Sequence, residues 1–258
     1  LLVENGAGWA NLCQLISLAQ ANAPKGSARL PAGALGGHTD GLIALTGCRQ
    51  GPVAQALLQR GNHAALRALH SLIELFGRDH CYIELQHHLR PQDGWLVKNL
   101  SALAGRLGLP VVTTNNAHYA NRVQKRLQDV LVCIRHNTTL DASERLRRPN
   151  GEYYLKSAAE MQQRFASCLQ SAACGQAVAN SVAIAERCRY TFDFGLQSLP
   201  EFPTPQRTPP IVYLRELCDE ALRRQPDDER YRTQLRYELG VIERAGYSNY
   251  FLIVWDIM

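Results

Sequence analysis

Three places in the chain set side chains capable of metal or acid–base chemistry directly after a short apolar run. Cys48 follows "LIALTG", Gln86, His87 and His88 follow "CYIEL", and Asn115, Asn116, His118 and Tyr119 follow "VVTT". A thiolate and imidazoles drawn together from such places suit a borderline-soft divalent ion such as zinc. Bringing them together requires a scaffold that aligns the ends of separate segments.

The intervening sequence predicts that scaffold. Residues 42–46, 81–86 and 110–114 read as buried strands, the last rich in β-branched residues. Between them lie helical patterns. Pro52 starts "VAQALLQR"; "HAALRALHSLIELFG" aligns Leu66, Leu69, Leu72, Ile73 and Phe76 before Gly77; "WLVKNLSALAGRLG" ends at Gly108. Strands alternating with helices at this spacing predict parallel βαβ units with right-handed crossovers, so the C-terminal strand ends share one rim. In open and barrel α/β folds that rim is where sites are built. Upstream, "WANLCQLISLAQ" predicts a helix with Trp9, Leu12, Leu15, Ile16 and Ala19 on one face.

The second half changes character. Residues 122–136 form an amphipathic pattern with Val123, Leu127, Val130, Leu131 and Ile134 expected inward and the bases outward. Ser157 and Glu160 predict a capping box ahead of "MQQRFASCL", and an Ala-rich helix should cover roughly 172–188. "LPEFPTPQRTPP" at 199–210 is the best linker candidate, because so many prolines exclude regular helix and central strand. Two further helices and a terminal apolar element follow, and "YFLIVWDIM" should expose apolar groups wherever it lacks packing partners.

Composition narrows the class. With 46% apolar and 20% charged residues the chain reads as an ordinary globular protein, and a net charge of +5 permits nucleic acid without demanding it. The positive excess peaks at 122–148, a stretch more often a solvated helix face than a phosphate-binding one. The cysteines form no C-x-x-C pair, which predicts reduced thiols in a cytoplasmic protein. No apolar run approaches the ~20 residues of a membrane span. The first residues lack a signal-peptide pattern, and both termini read as cut ends of a longer chain.

The ordered segments "ENGAGWANLCQLIS", "GLIALTGCRQGPV", "YIELQHH", "LPVVTTNNAHYA", "RRPNGEYYLKSAAEM" and "RYELGVIERAGYSNYFLIVWDIM" resemble bacterial family C DNA polymerases, the DNA polymerase III alpha subunit family. The stretch "RLQDVLVCIRHNTTLDASERLRRPN" leans the resemblance toward the error-prone alpha-type members. It implies an α/β fold: a partial distorted (β/α)₇ barrel of the polymerase and histidinol phosphatase (PHP) type, followed by a helical region leading into a polymerase palm. Residues 1–150 would be the C-terminal half of the PHP domain, 151–205 a helical exit with the Pro-rich linker, and 206–258 the start of the palm region.

The same resemblance implies the chemistry. Cys48 matches the Cys of an "LTGC" motif and His118 the His of a "TNDxHY" motif, both metal ligands in complete clusters; Asn116 stands where that motif has Asp, which removes a carboxylate. Zn²⁺ or Mn²⁺ would belong at the PHP site and Mg²⁺ at the polymerase centre of the parent. The polymerase aspartates would lie beyond Met258, so no catalytic residue is assigned within the chain. Implied partners are a DNA primer-template, dNTPs, and a sliding clamp or other replication and repair proteins. His87 and His88 match no ligand position and read as loop residues; Glu84 reads as a buried carboxylate bonded to a loop, and Tyr153 and Tyr154 as packing residues. A stand-alone PHP-type metal-dependent phosphoesterase is the alternative enzyme reading, and a non-catalytic interaction module the third. The segment from Arg236 onward argues against the phosphoesterase, because a stand-alone enzyme of that kind has no use for a palm entrance.

Overall fold

A computed structural model describes residues 1–21, 23–194, 200–224 and 229–258. It comprises two compact units, Leu1–Thr191 and Phe192–Met258.

The first unit is a mixed α/β structure. In chain order it contains β1 (Leu2–Val3), α1 (Gly6–Ala21), β2 (Leu42–Leu45), α2 (Pro52–Arg60), α3 (Asn62–Phe76), β3 (Cys81–Leu85), α4 (Asp93–Leu107), β4 (Val111–Thr113), α5 (Lys125–His136), α6 (Ala158–Phe165) and α7 (Ser171–Arg187). The sheet order is β1-β2-β3-β4. Strands β2, β3 and β4 run parallel, with Ala44 opposite Cys81 and Ile83 opposite Val111, while β1 pairs antiparallel with β2. The βαβ reading is thus met for these three strands, and their C-terminal ends lie on one edge.

Both faces of the sheet are covered, which explains why its strands read as continuous apolar runs. Leu42, Ala44, Cys81, Ile83 and Leu85 join the core with Leu57 of α2, Leu69 of α3, Leu100 of α4 and Phe165 of α6. Ile43, Tyr82 and Val112 pack with Ile184 of α7. Helix α7 also answers polar groups of β4: Asn180 Nδ2 donates to the Val111 carbonyl at 2.7 Å, and Thr113 Oγ1 donates to the Ala177 carbonyl at 3.5 Å. Helix α1 crosses the turn before β2 so closely that a Cβ on Gly8 would lie 1.9 Å from the Gly41 carbonyl oxygen. Gly41 itself holds φ +68°, a conformation that suits a residue without Cβ.

Two helix faces differ from expectation. On α1, Leu15 is buried and Leu12 and Ala19 half-buried, but Trp9 and Ile16 are exposed; Trp9 instead stacks on Tyr190 at 5.9 Å. On α5 and the turn that leads into it the expected orientation is reversed: Val123, Leu127, Val130, Leu131 and Ile134 are all exposed. Asp129 and Cys133 face inward. The reason is local. Asp129 takes an ion pair from Lys125 at 2.6 Å and another from Arg147 at 3.4 Å, and Cys133 Sγ donates to Ser143 Oγ at 3.2 Å. A neutralised carboxylate can be buried, and its burial rotates the apolar stripe outward.

The predicted capping box is present: Glu160 N donates to Ser157 Oγ at 3.3 Å and Ser157 N donates to Glu160 Oε2 at 2.8 Å. The cysteines are free thiols. No helix among the described residues is long and apolar enough to cross a membrane.

The second unit is helical: α8 (Pro210–Leu222), α9 (Glu229–Ala245) and α10 (Ser248–Ile257). Its core centres on Leu214, Leu239 and Leu252, one from each helix. The proline-rich stretch contributes to it, Leu199 lying outside the described residues. Phe202 stacks on Tyr213 at 6.4 Å and meets Trp255 edge-on at 6.5 Å, and its N–H donates to Asn249 Oδ1 at 3.0 Å. Pro210 is the first residue of α8, where a missing N–H costs nothing.

Candidate functional site

The loops after β2, β3 and β4 meet at the C-terminal edge of the sheet. Thr46, at the end of β2, accepts from Glu84 N at 2.9 Å. Glu84 in turn accepts from Gln86 Nε2 at 2.8 Å and from the Thr114 hydroxyl. The carboxylate is therefore tied to the end of the neighbouring strand, as a structural group.

Asp93, at the start of α4, organises the loop after β3. Its carboxylate accepts from His88 N at 2.8 Å and Arg90 N at 3.1 Å, and pairs with Arg49 at 3.2 Å. Arg49 also donates to the Pro91 carbonyl at 2.8 Å, so the β2 loop clasps the β3 loop. A cavity of 20 Å³, about the space one water molecule needs, is lined by Cys48, Glu84, Gln86, His88 and Asp93 among others.

His88 is the keystone. It is 6% exposed, it lies flat on Tyr153 at 4.1 Å, and its Nε2 bonds the Asn115 carbonyl at 2.8 Å. A carbonyl only accepts, so His88 carries its proton on Nε2. Asn150 Nδ2 donates to the His88 carbonyl at 2.6 Å. Burial pushes the His88 imidazole below its ordinary range, against the Asn115 carbonyl and Asp93, which favour the charged form. His87 is lowered by burial as well.

The segment 150–156 returns across the end of β4. His118 N donates to the Tyr153 carbonyl at 2.7 Å and Leu155 N to the Tyr119 carbonyl at 3.1 Å. The Glu152 carboxylate, 5% exposed, is surrounded by cations: Arg122, Arg164 at 2.7 Å and Lys156 at 3.5 Å. Lys156 also sits 3.9 Å over the Tyr154 ring.

Against this network the three sequence-assigned metal positions are placed as follows. Cys48 is half-buried beside the small cavity, with Gln50 N donating to its Sγ at 3.4 Å. Asn116 is half-buried and holds φ +43°, a left-handed conformation that asparagine tolerates. His118 is exposed, and its Nε2 lies 2.6 Å from Arg148 Nη2. A guanidinium has no acceptor, so His118 must be neutral and must spend its Nε2 lone pair on Arg148. Burial and the Arg148 charge both lower its affinity for a proton. Among the described residues no three or more His, Cys, Asp or Glu side chains gather around one point where a metal ion could sit.

Cys48 follows β2, and Asn116 and His118 follow β4, with β3 between the two strands; all three lie on the C-terminal edge, but they are not gathered into one cluster. A cation already occupies the donor atom of His118, and Asn116 is neutral. This arrangement does not fit a divalent ion as it stands. The residues that organise the edge are others: Asp93, Glu152, Asn150, Tyr153 and Arg148. The run "RRPNGEYYLK", with its closely mixed cations, amide, carboxylate and aromatics, is the signal that could have found four of them.

Two family models match the chain. The PHP domain matches residues 1–88 and the bacterial DNA polymerase III alpha NTPase domain matches residues 212–258. Full-chain likeness extends to named proteins. The chain is 38% identical to an error-prone DNA polymerase of Symbiobacterium thermophilum, with 100% of this chain and 25% of that protein covered. It is 36% identical to an error-prone DNA polymerase of Nocardia farcinica (100% and 23% covered). It is 33% identical to the DNA polymerase III subunit alpha of Treponema pallidum (100% and 22% covered). The chain spans about a quarter of the length of these curated relatives.

Proposed function

We propose that this chain, which joins PHP-domain sequence to bacterial DNA polymerase III alpha sequence along one line of full-length relatives, is the PHP-to-palm portion of a DNA-directed DNA polymerase of the error-prone type. The observation that carries this reading is the collinearity of the two family matches, one in each compact unit. A stand-alone phosphoesterase has no use for the second match.

In this reading residues 1–150 belong to a distorted (β/α)₇ PHP barrel, 151–205 lead out of it, and 206–258 open the palm. The role of the first unit is structural. What supports this is the way its strand-end groups are already committed: Glu84 to Thr114, Asp93 to Arg49, Glu152 to three cations and His118 to Arg148. Cys48, Asn116 and His118 remain the positions that Zn²⁺ or Mn²⁺ would address. They offer a cysteine sulfur, a neutral carbonyl and an imidazole that must first release Arg148. Nucleotidyl transfer itself needs Mg²⁺ held by carboxylates at a primer end, and the reading assigns that task to other residues of the parent, with primer-template, dNTPs and a clamp as its partners.

The test is to express the complete product of the reading frame and assay Mg²⁺-dependent extension of primed DNA. Extension is expected; a complete product that extends no primer overturns the reading. Metal content by mass spectrometry, in wild type, Cys48→Ala and His118→Ala, tests the ligand positions separately. Unchanged zinc and manganese in both variants would reject them.

A further inference from the structure

Beside the strand-end network, a pocket of 610 Å³ is lined by Arg90, Lys125, Arg145, Arg147 and Arg148, with Glu144 as the carboxylate on its wall. The cations come from three separate parts of the chain: the loop after β3, the first turn of α5, and the loop at 144–149. They are not equivalent. Lys125 and Arg147 are held by Asp129, at 2.6 and 3.4 Å, and Arg147 Nη2 also donates to the Leu140 carbonyl at 3.1 Å. Arg148 is braced by His118 and lies 5.1 Å over the Tyr153 ring. Arg145 is exposed and makes no ion pair among the described residues, and Arg90 is exposed where it reaches the Tyr153 hydroxyl.

What separates this pocket from a merely solvated basic face is that its charge is concentrated in a concavity, where low-dielectric walls strengthen the field felt by an anion. Phosphate oxygens are acceptors that guanidinium groups match bidentately. Cations drawn from three segments suit a repeating anion better than a single small one.

We propose that this pocket binds the phosphodiester backbone of single-stranded DNA, through sequence-independent contacts that position the strand and read no bases. The inference rests on the polymerase reading for the identity of the strand, and adds a binding site within the PHP-containing unit that owes nothing to metal. Fixed guanidinium groups then do at this edge what a cation cluster would do, which accords with Arg148 sitting on His118.

The experiment uses the whole 258-residue chain and a fluorescein-labelled oligo(dT), read by anisotropy across a salt series. The variants are Arg90→Gln combined with Arg145→Gln, both exposed and outside the Asp129 and Glu152 ion pairs, and as control Arg106→Gln. Arg106 lies in the last turn of α4, at the end of the sheet opposite the strand C-termini. The double variant is expected to weaken binding about tenfold at 0.1 M salt and to make the log–log salt slope shallower by about 1.4, at 0.7 per lost contact on single strands. The control should match wild type, and circular dichroism should show all three equally folded. Equal affinity of the double variant and wild type overturns the proposal. So does displacement of the oligonucleotide by pyrophosphate or dNTP at the oligonucleotide's own concentration, which would assign the pocket to free phosphates. Binding is read without polymerisation, so failure to extend primers would sink the polymerase reading alone, and unchanged binding would sink this site alone.

Discussion

At the strand ends of the first unit, His88, Asp93 and Glu152 are each at most 6% exposed, and each is held by several named partners. The second unit has the opposite economy. Its core is three leucines from three helices, while Tyr231, Tyr237, Tyr250 and Ile257 are more than half exposed. Directional polar contacts define one arrangement and penalise every other, because a buried charge without its partner is costly. Three buried leucines contribute about 1.5–3 kcal/mol each and specify geometry weakly. The first unit is therefore built for a fixed arrangement, and the second for cohesion alone.

That contrast can be broken most sharply at Glu152. Glu152→Gln leaves Arg122, Lys156 and Arg164 around a neutral group, and removing one partner of a buried ion pair costs about 3–5 kcal/mol. Urea unfolding followed through Trp255 alone, in a Trp9→Phe, Trp95→Phe background, reports the second unit; far-ultraviolet dichroism reports the sum. The Glu152 variant should move the dichroism midpoint and leave the Trp255 transition in place. A shift of both by the same amount would mean that the two units unfold as one.

The reciprocal change is Leu252→Ala, at a side chain with 0% exposure. It should cost about 3 kcal/mol and lower the Trp255 midpoint alone. A loss under about 1 kcal/mol would show that the leucine cluster is not what holds these helices. Ser157→Ala sharpens the comparison on a smaller scale. Loss of the N-cap should remove about 1 kcal/mol from the first unit, read as a dichroism midpoint shift with the Trp255 signal unmoved.

The smallest effect is a difference in pH response. Burial holds His87 and His88 below the ordinary value of 6.5, so as pH falls below that value the unfolded chain takes up protons before the folded unit does. Stability of the first unit is complete above pH 6.5 and declines as pH falls through the lowered folded values. All eight histidines lie before residue 137, and none in 192–258. From pH 7.5 to 5.5 the dichroism midpoint should therefore drop while the Trp255 midpoint stays level. Equal slopes in both signals would contradict the assignment.

Much of this was legible in the sequence, and the illegible part has a physical pattern. Strands β2, β3 and β4 and their helices were readable because each is an apolar run or stripe closed by Gly or Pro, a signal contained within about fifteen residues. The face of α5 was not. Its stripe of Val123, Leu127, Val130, Leu131 and Ile134 has the right period, but Asp129 goes inward because two cations neutralise it, Lys125 one turn before and Arg147 eighteen residues on, and the second is beyond the reach of local periodicity. The strand-end edge shows the same division. That Cys48, His88 and His118 would follow neighbouring strands was inferable from topology. That His88 would be pinned by Asn150, sixty-two residues away, and that Arg148 would bond His118, thirty residues away, was not. Local periodicity has no term for a partner at that distance.

The bond from Asn180 to the Val111 carbonyl has a consequence for crowded solutions. A bare strand edge invites recruitment by other copies, the first step toward amyloid-like stacking. Here an amide from a helix has already claimed an outward acceptor on β4, so a passing strand meets a blocked register at that margin. What looks like simple packing of α7 is also insurance against polymer growth of the wrong kind.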